Sequence, residues 1–454
     1  MKKSNVKRKL GTTQIIVLGF LLIILIGTAL LMLPVSSADG TTTDPLDACF
    51  TVVSATCVTG LTVVDTATHW STFGHTVILT LIQIGGLGFM TIAILLSLLI
   101  KRTITPKERM LIAMSYNLDS YDSTMQIFKR VAIGTFIFEF IGATVLATRF
   151  IPDFGVTDGI YKSIFHSVSA FCNAGFDIIG TGNENIGGLS YYIADPVINM
   201  TLALLIIIGG IGFLVWSDLI NLVTKKKRLS VYSKFVLVIT SILLIAGAVF
   251  FAVFEWGNPD TLGKLDSIPQ KITACFFQSS TWRTAGFATI SNGDFTSSSQ
   301  LLGVILMFIG GASGSTAGGV KVATIGVLLF TVWCTAIGKK RAVFKGRTIS
   351  EASFTRAVTV ICVQIFAIIV GVILINICER VDIMSVLYEV TSAISTVGLT
   401  MGITSSLSAI SKITVMFLMF FGRLGILTVT LAVMNNQSGA DPNISYPEAK
   451  MLIG

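Results

Sequence analysis

Long apolar runs separated by short polar segments occupy most of the chain. The hydrocarbon core of a bilayer, about 30 Å thick, is crossed by roughly 20 apolar residues in a helix. Eight runs approach or exceed that length, and they lie at positions 15–33, 76–100, 131–148, 197–217, 235–254, 301–338, 357–378 and 413–434. The pattern predicts an all-α integral membrane protein with eight transmembrane helices.

Shorter apolar segments lie between the two runs of each successive pair, for example at 46–56 and 386–394. At about ten residues each, they are too short to span a bilayer. A helix that enters halfway and returns is tolerated at membrane depth where it lines a water-filled cavity. We therefore expect four re-entrant pore helices, one in each pair of runs.

A glycine motif ends each short segment. The four copies read SATCVTGL (54–61), SAFCNAGF (169–176), STWRTAGF (280–287) and SAISTVGL (392–399). In every copy a serine stands six residues before the glycine, and the copies recur at intervals of a quarter of the chain, which indicates a tandem repeat. We expect four membrane-pore-membrane repeats at 11–105, 125–228, 230–347 and 350–434, in a pseudo-fourfold arrangement around one central pore, and a C-terminal tail at 435–454.

The motif has the chemistry of an ion filter. A pore that passes a dehydrated cation replaces the hydration shell with backbone carbonyl oxygens, and glycine permits the backbone angles that turn those oxygens toward an axis. The C-terminal end of each short helix adds a negative dipole. The candidate filter residues are Thr59, Gly60, Asn173, Ala174, Gly175, Thr284, Ala285, Gly286, Thr396, Val397 and Gly398.

Composition supports a membrane protein and gives its orientation. Hydrophobic residues make up 53 % of the chain and charged residues 12 %, with a net charge of +8. Lys and Arg cluster at 2–9, 101–109, 225–228 and 339–347, all on one predicted side, which the positive-inside rule places in the cytoplasm with both termini. This bias explains the positive charge better than nucleic-acid binding does. Asp47 and Asp65, on the opposite side, either concentrate cations or only keep the loops soluble.

The third repeat contains a run rich in glycine. Its members are Gly310, Gly311, Ala312, Ser313, Gly314, Ser315, Thr316, Ala317, Gly318 and Gly319. Each glycine destabilises a helix by about 1 kcal/mol relative to alanine, so a continuous helix is not expected. A broken helix at membrane depth must line a cavity, and we interpret this run as a gate loop below the filter. A nucleotide-binding P-loop is disfavoured because Val320 separates Gly319 from Lys321.

Glycine clusters recur in the second long run of the other repeats, at 85–88, 209–212 and 422–425. In the first two repeats we interpret them as small residues that let helices pack closely.

Four charged residues fall inside or beside apolar segments. Arg423, about a third of the way along the last run, and Lys321 are expected to face a partner or a watery path. Arg423 would either repel cations beneath the filter, hold the gate loop through its carbonyls, or pair with an acid elsewhere. Glu139 would pair with a neighbouring helix, and Arg283, which replaces Cys or Ser of the other motifs, would brace the filter against an acid.

No enzyme site is recognisable. The seven cysteines are scattered and are interpreted as small buried residues, not as disulfides or metal ligands. The three histidines show no metal spacing, and no triad or carboxylate pair stands out. We expect no cofactor bound by this chain.

Taken together, the four repeats with one filter glycine each resemble the Trk/Ktr/HKT superfamily of potassium transporters, and most closely the pore-forming membrane subunit of the bacterial Ktr system. The resemblance implies K⁺ coordinated by carbonyls at Gly60, Gly175, Gly286 and Gly398, an intramembrane gate loop in the third repeat, and Arg423 beside the pore. Some relatives carry serine at the first filter position together with sodium transport, and here that position is Gly60.

The same resemblance implies partners and a location. It implies a homodimer in the bacterial plasma membrane, embedded in lipid, and a cytoplasmic octameric ring of subunits that bind ATP or ADP. It also implies dependence on Na⁺, for which the sequence shows no site. The alternatives are a sodium-conducting relative and a membrane subunit that regulates without conducting.

Overall fold

The structure, a computed structural model, describes residues 12–88, 124–180, 188–339 and 341–425. The described chain is almost entirely helical. Its helices are α1 (Thr12–Leu31), α2 (Pro45–Thr56), α3 (Thr66–His69), α4 (Thr72–Leu87), α5 (Thr124–Phe154), α6 (Val156–Cys172), α7 (Pro196–Gly210), α8 (Phe213–Lys225), α9 (Val231–Glu255), α10 (Ile268–Thr281), α11 (Ser297–Phe308), α12 (Val322–Ala336), α13 (Glu351–Cys378), α14 (Ile383–Ile394) and α15 (Ala409–Leu424). One small hairpin, β1 (Val343–Phe344) and β2 (Arg347–Thr348), precedes α13.

Four helices of this described part, α1, α5, α9 and α13, are long and apolar enough to cross a membrane. The bent pair α7 and α8 provides a fifth crossing if it is counted as one span. Large apolar side chains on these helices face outward, as with Phe140 on α5 and Ile377 on α13, which are 74 % and 76 % exposed. Such side chains are expected where a helix meets lipid.

Each long helix is followed by a shorter one that ends at a glycine motif. These are α2, α6, α10 and α14, of 12 to 17 residues, and three of them start at a side-chain cap. Asp44 and Asp382 accept hydrogen bonds from backbone amides of the first turn, and Ser267 forms a capping box with Gln270. Such caps satisfy amides that have no partner within the helix.

The helices after the motifs end or bend at glycines. Helix α4 ends at Leu87 with Gly88 at φ +80°, and α15 ends at Leu424 with Gly425 at φ +81°. Helix α7 ends at Gly210, and α8 leaves it at an angle of 98° after Gly212, whose φ is +91°. The glycine cluster at 209–212 therefore breaks a helix, and our interpretation of it as a packing feature alone is wrong. Left-handed backbone angles at glycine explain why the helices stop here.

The third of these helices is interrupted most widely. Residues 309–321 leave the helical path between α11 and α12, where the sequence predicts a break. The base of this loop is closed by backbone hydrogen bonds, from Gly310 N to Val320 O at 3.0 Å and from Val322 N to Gly311 O at 3.0 Å. The loop is therefore an ordered turn of chain.

The core lies where the short helices meet. Its largest fully buried side chains include Trp282, Tyr388 and Phe171. All seven cysteines are unpaired, but Cys362 and Cys378 are exposed, so the prediction of small buried residues is wrong for these two. They lie on α13, whose outer face carries other exposed apolar side chains such as Phe366.

Several predicted segments lie outside the described residues. These are the ends of the first and fourth predicted repeats, the basic clusters at 2–9 and 101–109, and the tail at 435–454. Arg423, which the apolar run places a third of the way along the last helix, is the penultimate residue of α15 as described.

Candidate functional site

The four motif glycines form a closed ring. A Cβ atom added to Gly60 would collide with the carbonyl of Ala174, one on Gly175 with that of Ala285, one on Gly286 with that of Val397, and one on Gly398 with that of Thr59. Each glycine thus lies against the residue that precedes the glycine of the next motif, and the fourth motif closes on the first. Only glycine allows backbones to approach so closely.

The backbone repeats one conformation in all four motifs. The four glycines have φ between +69° and +96°. Two residues earlier, Val58, Asn173, Thr284 and Thr396 also have positive φ, between +49° and +70°. A positive φ is rare outside glycine and costs most for a β-branched residue, so the surrounding contacts must hold these segments in place.

Val58 belongs to this set, although it is not among the predicted filter residues of the first motif, which are Thr59 and Gly60. Nothing in an isolated valine indicates a left-handed conformation. Its position two residues before the glycine, equivalent to that of Asn173, is the signal that identifies it.

The motif serines hold two of the segments. Ser54 Oγ accepts a hydrogen bond from Gly60 N at 3.0 Å, and Ser392 Oγ accepts one from Gly398 N at 3.0 Å. In the second motif Ser169 Oγ donates instead to Phe176 O at 3.0 Å. The third motif uses its next residue, because Thr281 Oγ1 donates to Phe287 O at 2.7 Å. The third segment therefore departs from fourfold symmetry.

Three hydroxyl groups of the ring have no protein partner among the described residues. They belong to Thr59, Thr284 and Thr396, and all three side chains are fully buried. A buried hydroxyl without a hydrogen bond is destabilising, and its oxygen can coordinate a cation. Together with the backbone carbonyls at the C-terminal ends of four helices, these oxygens suit a desolvated monovalent cation.

The loop at 309–321 contacts the second and the fourth motif. Thr316 Oγ1 donates to Phe171 O, the last but one residue of α6, at 3.0 Å. A Cβ atom on Gly318 would collide with the hydroxyl of Thr396 and the carbonyl of Ser395. The loop therefore occupies the space on the helix-break side of the ring.

The same loop fills the break between α7 and α8. Ala312 N donates to Gly210 O at 2.9 Å, and Gly314 O accepts from Phe213 N at 2.7 Å. The groups that the bend leaves without a helical partner thus bond to the loop. This arrangement explains why α7 stops where it does, and it requires the third quarter of the chain.

Two cations hold the loop. Arg423 donates from Nη1 to Thr316 O, and from Nη2 to the carbonyls of Gly85 and Gly86 at the end of α4. Lys321 donates from Nζ to Ala317 O at 2.7 Å. Of the three readings of Arg423, its contacts fit the one in which it holds the loop through carbonyls. No acidic partner of Arg423 lies within the described residues.

A family model described as a cation transport protein, TrkH, matches residues 2–440. The chain belongs to the TrkH cation transport family. It is 39 % identical to the potassium/sodium uptake protein NtpJ of Enterococcus hirae, over all of this chain and 99 % of that protein. It is 38 % identical to the Ktr system potassium uptake protein B of Bacillus subtilis, over 97 % of this chain and 96 % of that protein.

A solved structure shares the fold of this TrkH-family chain. The crystal structure of the potassium transporter TrkH from Vibrio parahaemolyticus matches with a TM-score of 0.71. The match covers 95 % of this chain and 86 % of the TrkH chain, at 18 % sequence identity. The predicted resemblance to the Trk/Ktr/HKT superfamily is therefore confirmed.

Among the described residues of this TrkH-family chain no acid pairs with Arg283, so that expectation is wrong there. Its guanidinium, 7 % exposed, donates from Nη2 to Gly310 O at 3.1 Å. It also lies near the C-terminal end of α10, where the helix dipole favours a cation. Arg283 joins the third motif to the first residue of the loop.

Glu139 pairs with a neighbouring helix, as expected. Its Oε2 accepts a hydrogen bond from Gln83 Nε2 on α4 at 3.3 Å, and its backbone carbonyl accepts one from Ser167 Oγ on α6. The contact lies outside the ring and joins the first and second quarters of the chain.

Asp47 and Asp65 have structural partners. Asp47 forms an ion pair with Lys412 on α15, at 2.6 Å between Oδ1 and Nζ. Asp65 caps the short helix α3 by accepting from Thr68 N. Both contacts favour the structural reading of these acids over a role in concentrating cations.

Proposed function

We propose that this chain takes up potassium across the membrane through the ring of the four motifs, with the loop at 310–319 as its gate. The observation that carries the proposal is the mutual contact of Gly60, Gly175, Gly286 and Gly398. It places carbonyl-bearing segments from all four quarters around one axis, as a carbonyl filter requires. The relatives named as potassium uptake proteins support the choice of ion.

Gating by the loop rests on its position and its bonds. The loop lies beneath the motifs, and Arg423, Lys321 and Arg283 hold it there through its carbonyls. In this arrangement it closes the path below the filter. Displacing it would break a small set of hydrogen bonds without unfolding the short helices.

Flux into proteoliposomes that contain the purified chain tests both parts of the proposal. Uptake of ⁸⁶Rb⁺ is compared between the wild type and a variant that lacks residues 312–318, with empty liposomes as the control. We expect slow selective uptake by the wild type and fast, still selective uptake by the variant. If neither protein takes up any cation, even with a cytoplasmic regulatory partner added, the chain is a non-conducting subunit and the proposal fails.

A second candidate is uptake of sodium by the same route. It is favoured by one specific observation, the 39 % identity to a protein named for potassium and sodium uptake. The glycine at the first motif, Gly60, favours potassium by the family resemblance. Competition of ⁸⁶Rb⁺ uptake by unlabelled K⁺ and Na⁺ separates the two, because a sodium route predicts equal competition by both ions.

Regulation and assembly form a further part of the proposal. Relatives named as Ktr system potassium uptake proteins support a regulatory partner for this chain. We propose that a homodimer of this chain is bound to a cytoplasmic octameric ring that binds ATP or ADP. The basic residues after α8 and around the β1–β2 hairpin would then face the cytoplasm. Light scattering on the purified protein tests the dimer, and flux with each nucleotide tests the ring. Replacing Na⁺ in the flux buffer tests sodium dependence.

A further inference from the structure

The four motifs can be aligned on their glycines, and two positions of that alignment then stand out. One lies nine residues before the glycine, within the short helix, and the other lies two residues after it. The pairs are Thr51 and Thr62, His166 and Asp177, Phe277 and Ala288, and Glu389 and Thr400. In a pseudo-symmetric ring each pair occupies the same place behind its segment.

The second and fourth pairs are joined by hydrogen bonds. His166 Nε2 lies 2.8 Å from Asp177 Oδ1, and Thr400 Oγ1 donates to Glu389 Oε2 at 2.6 Å. The first pair is not joined, because Thr51 donates its hydroxyl to Asp47 O within its own helix. The third pair, Phe277 and Ala288, has no polar group. Around the ring the joined pairs lie opposite each other.

Glu389 of the fourth pair is a buried carboxylate with several partners. Its side chain is fully buried, and Thr404 Oγ1 donates to its second oxygen at 2.5 Å. A buried polar group without a hydrogen bond is destabilising, so these hydroxyls are needed to stabilise the carboxyl group. The carboxylate therefore holds the segment that follows Gly398 against α14.

A chain of hydrogen bonds extends this contact to the third motif. Trp282 Nε1 donates to Tyr388 Oη at 3.0 Å, and Tyr388 Oη donates to Asn292 Oδ1 at 3.0 Å. Asn292 Nδ2 in turn donates to Thr400 O at 3.3 Å. Thr400 is therefore held both by its hydroxyl and by its carbonyl.

Asp177 plays the corresponding part in the second motif. Besides His166, it accepts backbone hydrogen bonds from Ile179 N and Leu189 N, each at 2.7 Å. Lys162, one turn before His166, donates to Ile178 O at 2.5 Å. These bonds fix the chain that leaves Gly175.

We propose that the pairs His166–Asp177 and Glu389–Thr400 are positioning residues that set ion selectivity by holding two opposite segments of the ring. The inference rests on the proposed function, because it assumes that the ring is the filter. Functional groups must be held within about 0.5 Å of their working geometry, and a carbonyl ring selects ions by its size and by the field of its oxygens. Segments without a joined pair, the first and third, are held by packing and by Ser54 or Thr281.

The test compares three variants at equivalent positions. Thr400→Val keeps the volume but removes the hydroxyl, Thr400→Ser keeps the hydroxyl, and Thr62→Val makes the same change in the first motif. The readout is the ratio of ⁸⁶Rb⁺ to ²²Na⁺ uptake in proteoliposomes. Elution as a single species and the melting temperature of each variant report folding.

We expect Thr400→Val to lower the uptake ratio about two- to twelve-fold, the effect of losing one hydrogen bond. Thr400→Ser and Thr62→Val are expected to keep the wild-type ratio. A ratio for Thr400→Val equal to that for Thr62→Val would overturn the inference. Failure of the wild type itself to prefer Rb⁺ would instead overturn the proposed function.

Asp177→Asn provides an independent arm on the opposite side of the ring. It keeps the volume and weakens the contact with His166, and we expect it to lower the uptake ratio in the same direction. If both Thr400→Val and Asp177→Asn fail to give a single folded species, the pairs stabilise the fold and the inference of a selective role is rejected.

Discussion

The hydrogen bond from Thr316 to Phe171 allows the gate proposal to be tested with a single hydroxyl group. Thr316→Val keeps the shape of the side chain and removes only the donor that ties the loop to the end of α6, at 3.0 Å. A hydrogen bond of this kind contributes about 0.5–1.5 kcal/mol. Since 1.36 kcal/mol corresponds to a factor of ten, the population of the displaced loop should rise about two- to twelve-fold.

The assay is the initial rate of ⁸⁶Rb⁺ uptake into proteoliposomes, normalised to the amount of protein incorporated. Where the wild-type loop is displaced only a small fraction of the time, the rate should rise in proportion. Thr331→Val is the matched control, because the buried hydroxyl of Thr331 on α12 has no hydrogen-bond partner within the described chain. An unchanged or lower rate for Thr316→Val, beside a fast 312–318 deletion, would refute the reasoning. A changed preference for Rb⁺ over Na⁺ would show that the bond holds the filter.

Three further results are expected. Arg423→Gln removes charged hydrogen-bond donors to the loop and to α4. One hydrogen bond to a charged group contributes about 1.5–3 kcal/mol, so ⁸⁶Rb⁺ uptake should rise by about 10- to 150-fold. A rise no larger than that of Thr316→Val would count against a role of Arg423 in holding the loop. Gly398→Ala should abolish selective uptake, because the added methyl group would collide with Thr59 O. Gly402→Ala should retain it, because Gly402 has nearly the same φ, +95° compared with +96° for Gly398, but open space around it. Equal losses in both variants would show that the backbone angle alone matters. The pKa of Glu379, after the end of α13, is lowered from 4.5 by the backbone hydrogen bond from Ser408 N. Its contribution to stability is therefore present above pH 4.5 and lost as the pH falls below that value, so the melting temperature of Glu379→Gln should lie below that of the wild type at pH 7, with the gap closing in acid.

The sequence predicted the ring through its glycines. A position where a side chain would collide with a neighbouring carbonyl accepts only glycine. The requirement recurs in each repeat, so the sequence shows a glycine at the same place in all four motifs, at Gly60, Gly175, Gly286 and Gly398. The interruption at 309–321 was equally visible, because five glycines in ten residues oppose a helix. In both cases the local backbone conformation requires glycine, and glycines are visible in the sequence.

Other features depend on contacts that no local pattern records. The glycines at 209–212 look the same in sequence whether they allow close helix packing or break a helix. The break is evident only from the structure, where the carbonyl of Gly210 accepts a hydrogen bond from Ala312 of the loop in the third quarter. Arg283 was expected to pair with an acid, and for Arg423 an acid was one of three alternatives, since a charge in a membrane usually pairs with an opposite one. In the structure both donate hydrogen bonds to backbone carbonyls. Every residue has a backbone carbonyl, so the sequence does not indicate which one a buried arginine contacts.

The closed ring also has a consequence for biosynthesis. Every glycine of the ring lies against a carbonyl from the next quarter, and the last quarter closes the ring, because Val397 O lies against Gly286 and Gly398 lies against Thr59 O. A chain emerging from the ribosome into the membrane therefore holds an incomplete ring until its fourth motif has been inserted. On the proposed function, a selective path therefore exists only after synthesis has reached the last quarter of the chain.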